Sequence, residues 1–161
     1  MKKFIVISLV FLMIAGFAIT ASAQDPMVVT LFADQDIDVG TLTVAVSGTD
    51  LVVTYNITFP WVLGETHLYV GTVAPTKSAP GRFPYGPEYA VDGVYTIPLA
   101  DFGGATILYI AAQAEVENPE EIDPVTLLLR EETTWAYGEN QIPPGKNWAM
   151  YFTFTYVPPL P

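Results

Sequence analysis

Residues 41–59 read TLTVAVSGTDLVVTYNITF, and the spacing of apolar side chains in this stretch decides the fold class. Apolar and polar residues alternate with a period of two on both sides of Gly48-Thr49-Asp50. One face of each run is apolar and the other is rich in threonine, as expected for half-buried strands joined by a tight turn. The stretch therefore predicts an antiparallel β-hairpin with one buried face.

The same alternation recurs along the rest of the chain. Residues 148–156 alternate in this way, and we assign Trp148, Met150 and Phe152 to the buried face. No stretch has the pattern of an amphipathic helix of three turns. About eight short strands with Pro/Gly-rich turns predict an all-β fold, as an antiparallel β-sandwich rather than a closed barrel. Besides those already described, strands are predicted at 27–33, 65–73, 94–99, 105–116 and 125–130.

Three long segments between these strands are predicted to be loops. Residues 74–92 are rich in proline and glycine, residues 117–124 are acidic with two prolines, and residues 138–146 contain a Pro-Pro-Gly turn. Loops of this length on a rigid scaffold are where binding residues concentrate.

Residues 1–23 have the features of a Sec-type signal peptide. Lys2 and Lys3 precede an almost unbroken apolar stretch over 4–19, and Ala21-Ser22-Ala23 is a small-x-small cleavage site. The apolar stretch is short for a membrane span. We expect cleavage after Ala23, with 24–161 exported as a single β-sandwich domain that has no membrane span and acts in the periplasm, at the cell surface or outside the cell.

The composition excludes several classes of function. The 161 residues include 6 Lys+Arg against 17 Asp+Glu, giving a net charge of −11, with one histidine and no cysteine. A chain this acidic should repel phosphate backbones, so we expect no nucleic-acid partner. It can form no disulfide, cysteine nucleophile or multi-histidine metal site. No serine elbow, HExxH motif or phosphate-binding loop occurs, so we expect no enzymatic activity.

Five segments along the chain carry a resemblance to known proteins: DQDIDVGTLTV (34–44), WVLGETHLYVGT (61–72), APGRFPY (79–85), LYIAAQAEV (108–116) and TTWAYGENQIPPGKNWAMYFTFTY (133–156). In this order they resemble a family of exported prokaryotic all-β domains of unknown function, whose members carry ETHLYVG-like, YIAAHA-like and TAWA-G…NWA-YF-like motifs. The resemblance implies an exported β-rich module, sometimes found within larger surface proteins, and it implies no activity. Gln113 stands where the family pattern has histidine, and Asp34 where glycine is common.

Asp34, Asp36 and Asp38 form a candidate metal site. In an extended segment their carboxylates would lie on one face, about 7 Å apart. A hard cation such as Ca²⁺ would relieve their repulsion. The alternative is a solvated acidic edge that discourages pairing with another sheet.

Other candidate residues are carboxylates, the one histidine and exposed aromatics. Glu65 and His67 would share a face of a strand, where the carboxylate could orient the imidazole, although a lone histidine is usually structural. Glu115 and Glu117 also share a face and could act as acid and base on a glycoside. Trp135 and Tyr137, near a loop, could stack on a sugar.

These observations predict a non-catalytic module for binding or structure, with calcium, a glycan or a surface protein as its ligand. One alternative is a subunit of an extracellular matrix or filament that self-associates through strand addition at exposed sheet edges. A further alternative is a hydrolase that uses Glu65 and His67, or Glu115 and Glu117.

Overall fold

Ten antiparallel strands and three short 3-10 helices make up the regular structure of residues 24–143 and 147–157, which the computed structural model describes. The predicted signal peptide and its cleavage site lie outside these residues. The 3-10 helices are Pro80–Arg82, Pro87–Tyr89 and Leu99–Phe102. The strands are β1 (Met27–Ala33), β2 (Ile37–Ser47), β3 (Asp50–Ile57), β4 (Val62–Gly71), β5 (Ala90–Val91), β6 (Val94–Pro98), β7 (Ile107–Ile122), β8 (Leu129–Ala136), β9 (Asn140–Gln141) and β10 (Met150–Thr155).

All ten strands belong to one sheet with the order β5-β6-β3-β2-β1-β8-β7-β10-β9, and β4 pairs with β7. The sheet folds over, so that β3 and β6 face β4 and β7 across the core. Two buried tyrosines connect these layers: the Tyr55 hydroxyl donates to the backbone oxygen of His67 at 3.0 Å, and the Tyr95 hydroxyl donates to that of Thr66 at 3.0 Å. The all-β prediction with sandwich-like packing is confirmed.

The hairpin predicted over 41–59 is present as β2 and β3. Ser47 pairs with Asp50, so the turn has two residues, and Gly48 adopts a left-handed φ of 61°. Its apolar face is in the core, while the threonines between these residues are half-buried; the fully buried members are Leu42, Val44, Leu51, Val53 and Tyr55. The alternation therefore identified the buried face correctly.

The long loop predicted at 74–92 is observed between β4 and β5. Its middle is attached to the edge of β4 by two backbone hydrogen bonds between Leu68 and Tyr85, of 2.8 and 3.2 Å. This contact covers part of an edge that would otherwise be open to pairing.

Two boundary predictions are wrong. The predicted loop 117–124 is mostly strand, because β7 continues to Ile122, and the predicted strand 125–130 contains the turn that precedes β8. This part of the hairpin extends beyond the core, so its strands carry charged side chains and lack the apolar alternation. It is held by ladder pairing and by Arg130, whose guanidinium lies 3.0 Å from carboxylate oxygens of Glu121 and Glu132.

None of the helices in the described ranges is long and apolar enough to cross a membrane.

Candidate ligand-binding site

The candidate site lies on the face of β7 and β8 that points away from the main core. A second, smaller apolar cluster forms there from Ala111, Trp135, Ile142 and Ala149. Residues 144–146 of the predicted loop 138–146 lie outside the described ranges. The preceding residues 137–143 pass close to β10, where Gly138 lies against the backbone of Tyr151 with no room for a Cβ atom. The loop thus turns an outward sheet face into a partly covered surface.

A row of paired residues crosses this face. His67 on β4 pairs with Gln113 on β7, Gln113 pairs with Trp135 on β8, and Trp135 pairs with Phe32 on β1. The imidazole is held from both sides, since Nδ1 lies 3.0 Å from Oε1 of Gln113 and Nε2 lies 3.2 Å from Oε1 of Glu65. The predicted proximity of Glu65 and His67 is therefore present, with Gln113 as a partner that the sequence did not identify.

A bulge in β4 brings Glu65 to this position. The register shifts between Leu63 and Thr66, so that Gly64 and Glu65 together oppose the single residue Glu115 of β7. Bulges of this kind redirect side chains at functional sites. Here the bulge places Glu65 beside the imidazole and Gly64 against the backbone of β7.

Beyond the bulge lies an acidic groove of about 310 Å³. Glu117 stands directly opposite Glu131 in the ladder, a pairing of like charges that destabilises a sheet. Among the residues that the structure describes, Glu115, Glu117 and Glu131 form no salt bridge. The predicted pair Glu115 and Glu117 is thus brought together on an open surface. The acidic groove is lined by Gly64, Glu115, Val116, Glu117, Glu131, Glu132 and Thr133.

On the other side of the row lies a larger groove of about 410 Å³, here called the aromatic groove. Trp135 is 3% exposed and forms its floor, whereas Tyr137 is 55% exposed at its rim. The rings of Phe32 and Tyr137 meet edge to face, with centroids 6.1 Å apart. The aromatic groove is lined by Phe32, Gln35, Asp36, Trp135, Tyr137, Trp148 and Met150.

Trp148 differs from its prediction. It is half-buried, packs against the second cluster and lines the aromatic groove, so its assignment to the main core is wrong. The alternation holds for Phe152 and Phe154, which are in the core. Met150, the first residue of β10, is half-buried and lines the aromatic groove, so its assignment to the buried face is wrong as well. Trp148 precedes the strand and follows the loop that covers the outer face.

The turn between β1 and β2 supplies the polar rim of the aromatic groove. Asp34 and Gln35 adopt left-handed φ angles of 43° and 73°, so the chain reverses here instead of running extended. The turn places Gln35 and Asp36 beside the aromatic side chains. Asp38 lies on β2, and its Oδ1 accepts a hydrogen bond of 3.0 Å from the backbone nitrogen of Gly40.

The extended geometry assumed for Asp34, Asp36 and Asp38 is therefore wrong. No group of three His, Asp or Glu side chains within 24–143 and 147–157 is arranged to hold a metal ion. Calcium binding by these aspartates stays a prediction, and the turn gives it no support because Ca²⁺ requires six to eight converging oxygens.

We expect the thermal midpoint in millimolar Ca²⁺ and in EDTA to differ by less than about 1 °C, because the chain reversal at Asp34 and Gln35 replaces the extended row of carboxylates on which the calcium prediction depends. Differential scanning calorimetry of residues 24–161 measures both midpoints. A rise of several degrees in Ca²⁺ that Asp36→Ala and Asp38→Ala abolish would contradict this expectation and establish the calcium site.

No protein-family model matches the chain, and neither a curated protein nor a solved structure matches it at a significant level. The family resemblance inferred from the five segments therefore stays a prediction, as do the alternatives of a self-assembling subunit and a hydrolase. The sequence pointed to Trp135 and Tyr137, but it did not identify Phe32, Gln35 or Met150. These three come from β1, from the β1–β2 turn and from β10, which only the fold brings to Trp135.

Proposed function

We propose that this protein is a non-catalytic module, exported as its predicted signal peptide implies, that binds a glycan in the aromatic groove. The observation that carries the proposal is the grouping of Phe32, Trp135, Tyr137 and Trp148 around one groove with polar side chains at its rim. A groove of about 410 Å³ is within the range of sites that take small ligands.

The chemistry of the groove fits a sugar. Aromatic rings pack against the apolar C–H faces of pyranose rings, and such packing adds to the burial of apolar area. Gln35 offers an amide that both donates and accepts hydrogen bonds, and Asp36 offers carboxylate oxygens for sugar hydroxyls. The groove thus combines a stacking surface with directional polar groups, the combination that orients a ligand.

The arrangement around His67 supports a role without catalysis. Both ring nitrogens are already engaged, Nδ1 with Gln113 and Nε2 with Glu65. A general base needs a free nitrogen within reach of the proton that it abstracts. We therefore assign His67 to the structural support of the outer face.

Alanine at Tyr137 or at Trp148 is expected to weaken glycan binding about tenfold in each case, because each change removes one stacking ring. A glycan array with residues 24–161 identifies the ligand, and isothermal titration with that ligand measures the dissociation constants.

Tyr89→Ala is the matched control for this experiment. Tyr89 is 58% exposed, close to the value for Tyr137, but it packs against Tyr85 away from the aromatic groove. We expect this variant to bind within about twofold of the wild type. An array without signal, or equal losses in all three variants, would reject the proposed function.

A further inference from the structure

The hairpin of β7 and β8 ends in a cluster of solvent-facing aliphatic side chains, here called the apolar tip. Val125 is 87% exposed and Leu127 is 77% exposed. Single exposed apolar residues are ordinary on protein surfaces, whereas a contiguous group marks an interaction site. The apolar tip consists of Ile122, Val125, Leu127, Leu128 and Leu129.

The turn that presents these side chains is ordered by its own polar groups. Oδ1 of Asp123 accepts hydrogen bonds from the backbone nitrogens of Val125 at 2.8 Å and Thr126 at 2.7 Å. These bonds hold the pKa of the Asp123 carboxyl below its usual range. The backbone nitrogen of Leu127 donates to the oxygen of Asp123, and that of Asp123 donates to the oxygen of Leu128. The turn thus satisfies these backbone groups internally and leaves its aliphatic side chains facing outward.

Leu127 adopts a left-handed φ of 60°. This conformation is uncommon for a bulky residue and is normally taken by glycine or asparagine. Asparagine would therefore adopt this backbone conformation at a lower cost in free energy than leucine does. A leucine at this position is consistent with a role for its exposed side chain rather than for its backbone.

The acidic residues near the apolar tip limit the kind of partner that it can bind. Four acidic residues flank the tip in the sequence, and together they are here called the acidic collar: Glu120, Glu121, Asp123 and Glu131. Arg130, the basic residue of this hairpin, is already paired with Glu121 and Glu132. The collar would repel a second copy of this acidic chain and also an anionic lipid surface, while it would attract a basic surface.

We propose that the apolar tip docks into an apolar pocket with a basic rim on a partner protein. Burial of Val125, Leu127 and Leu128, the most exposed side chains of the tip, supplies the affinity. The acidic collar selects the partner through complementary charge. This site is separate from the aromatic groove, so the proposal does not depend on glycan binding.

The probe is a short amphipathic helical peptide of leucine and lysine, which presents an apolar stripe between two rows of ammonium groups. Fluorescence anisotropy of the labelled peptide measures its binding to residues 24–161. Two matched peptides separate the contributions: one has serine for leucine, and the other has glutamate for lysine. The leucine–lysine peptide is expected to bind at least about tenfold more tightly than either of them.

A triple variant is expected to lose the preference for the leucine–lysine peptide and to retain only charge attraction. It combines Leu127→Asn with Val125→Ser and Leu128→Ser. Leu127→Asn alone should bind more weakly while melting at or above the wild-type temperature, because asparagine relieves the left-handed strain. A variant that misfolds would instead show both a lower affinity for the peptide and a lower melting temperature. Val91→Ser, at an exposed valine outside the tip, serves as the matched control and should bind as the wild type does.

Three results would overturn the proposal. The first is equal affinity for the leucine–lysine and serine–lysine peptides. The second is binding of phosphatidylcholine vesicles, lost in the triple variant, which would make the apolar tip a membrane anchor. The third is tip-dependent dimerisation in sedimentation velocity, which would make the partner a second copy.

Discussion

Replacement of Gly40 by alanine is expected to destabilise the fold by about 4 kcal/mol or more, a large fraction of the free energy of unfolding of an ordinary domain. Gly40 lies on β2 between Leu31 of β1 and Ile57 of β3, next to a bulge at which β2 contains one extra residue, Val39. Its φ of 143° belongs to the region that favours glycine, and a Cβ atom there would clash with the backbone oxygen of Asn56. Neither strand can move away without breaking its ladder, so the clash cannot be relieved locally.

Substitutions at two other glycines separate the two causes of this destabilisation, which are the unfavourable φ and the steric clash of the Cβ atom. Gly48 has a left-handed φ of 61° but open space around it, so Gly48→Ala should cost about 1 kcal/mol for the backbone conformation alone. Gly81 has neither a left-handed φ nor a neighbour within reach of a Cβ, and Gly81→Ala should be close to neutral. Denaturant unfolding compares all three, and a Gly40→Ala loss no larger than that of Gly48→Ala would refute the predicted clash.

The second large effect is expected at alkaline pH. Burial raises the pKa of Tyr55 well above its usual value, and the nearby Tyr95 raises it further. Burial also raises the pKa of Tyr95, in part offset by its hydrogen bond with Thr66. Because the unfolded chain loses these protons first, their contribution to stability is complete below about pH 10 and is lost as pH rises toward the folded pKa values.

Above pH 10 the free energy of unfolding should therefore fall with pH, and Tyr55 alone contributes up to about 1.4 kcal/mol per pH unit. Burial also raises the pKa of Tyr69 and Tyr85, which add to the total slope. Tyr55→Phe should remove the contribution of Tyr55, at a cost of about 1 to 2 kcal/mol at neutral pH for the lost hydroxyl hydrogen bond. Urea unfolding at a series of pH values measures the slope. Tyr137→Phe is the control because its hydroxyl is on the exposed rim of the aromatic groove; a Tyr55→Phe slope equal to that of the control would contradict the assignment.

The sequence predicted the strands whose two faces have different surroundings. The hairpin of β2 and β3 has one face in the core and one toward solvent, so its side chains alternate cleanly in polarity. The end of β7 lacks this contrast because both faces of the hairpin are exposed beyond the core. Its pairing with β8 depends on backbone hydrogen bonds and charged side chains. Neither of these produces the alternation of apolar and polar residues from which strands are predicted.

The candidate site was predicted only in part for a similar reason. Trp135 lies near the end of β8 and Tyr137 directly follows the strand, so they are two residues apart on the side next to the loop, and that relation is visible in a sequence. The contacts of Trp135 with Phe32 and Gln113 depend on which strands become neighbours. The turn at Asp34 and Gln35 was missed because two consecutive left-handed residues without glycine are rare.

The position of β1 has a consequence for the order in which the protein can form during synthesis. β1, the first strand of the described residues, lies between its neighbour β2 and the distant β8, where Leu31 pairs with Ala136. When residues 24–161 are synthesised without the predicted signal peptide, the hairpins from β1 to β3 can form soon after they leave the ribosome, but one edge of β1 must wait until more than a hundred further residues have been made. Until then its unpaired backbone groups are a template for mispairing. A ribosome-stalled chain that ends before residue 134 should therefore bind chaperones, whereas one released after residue 157 should not.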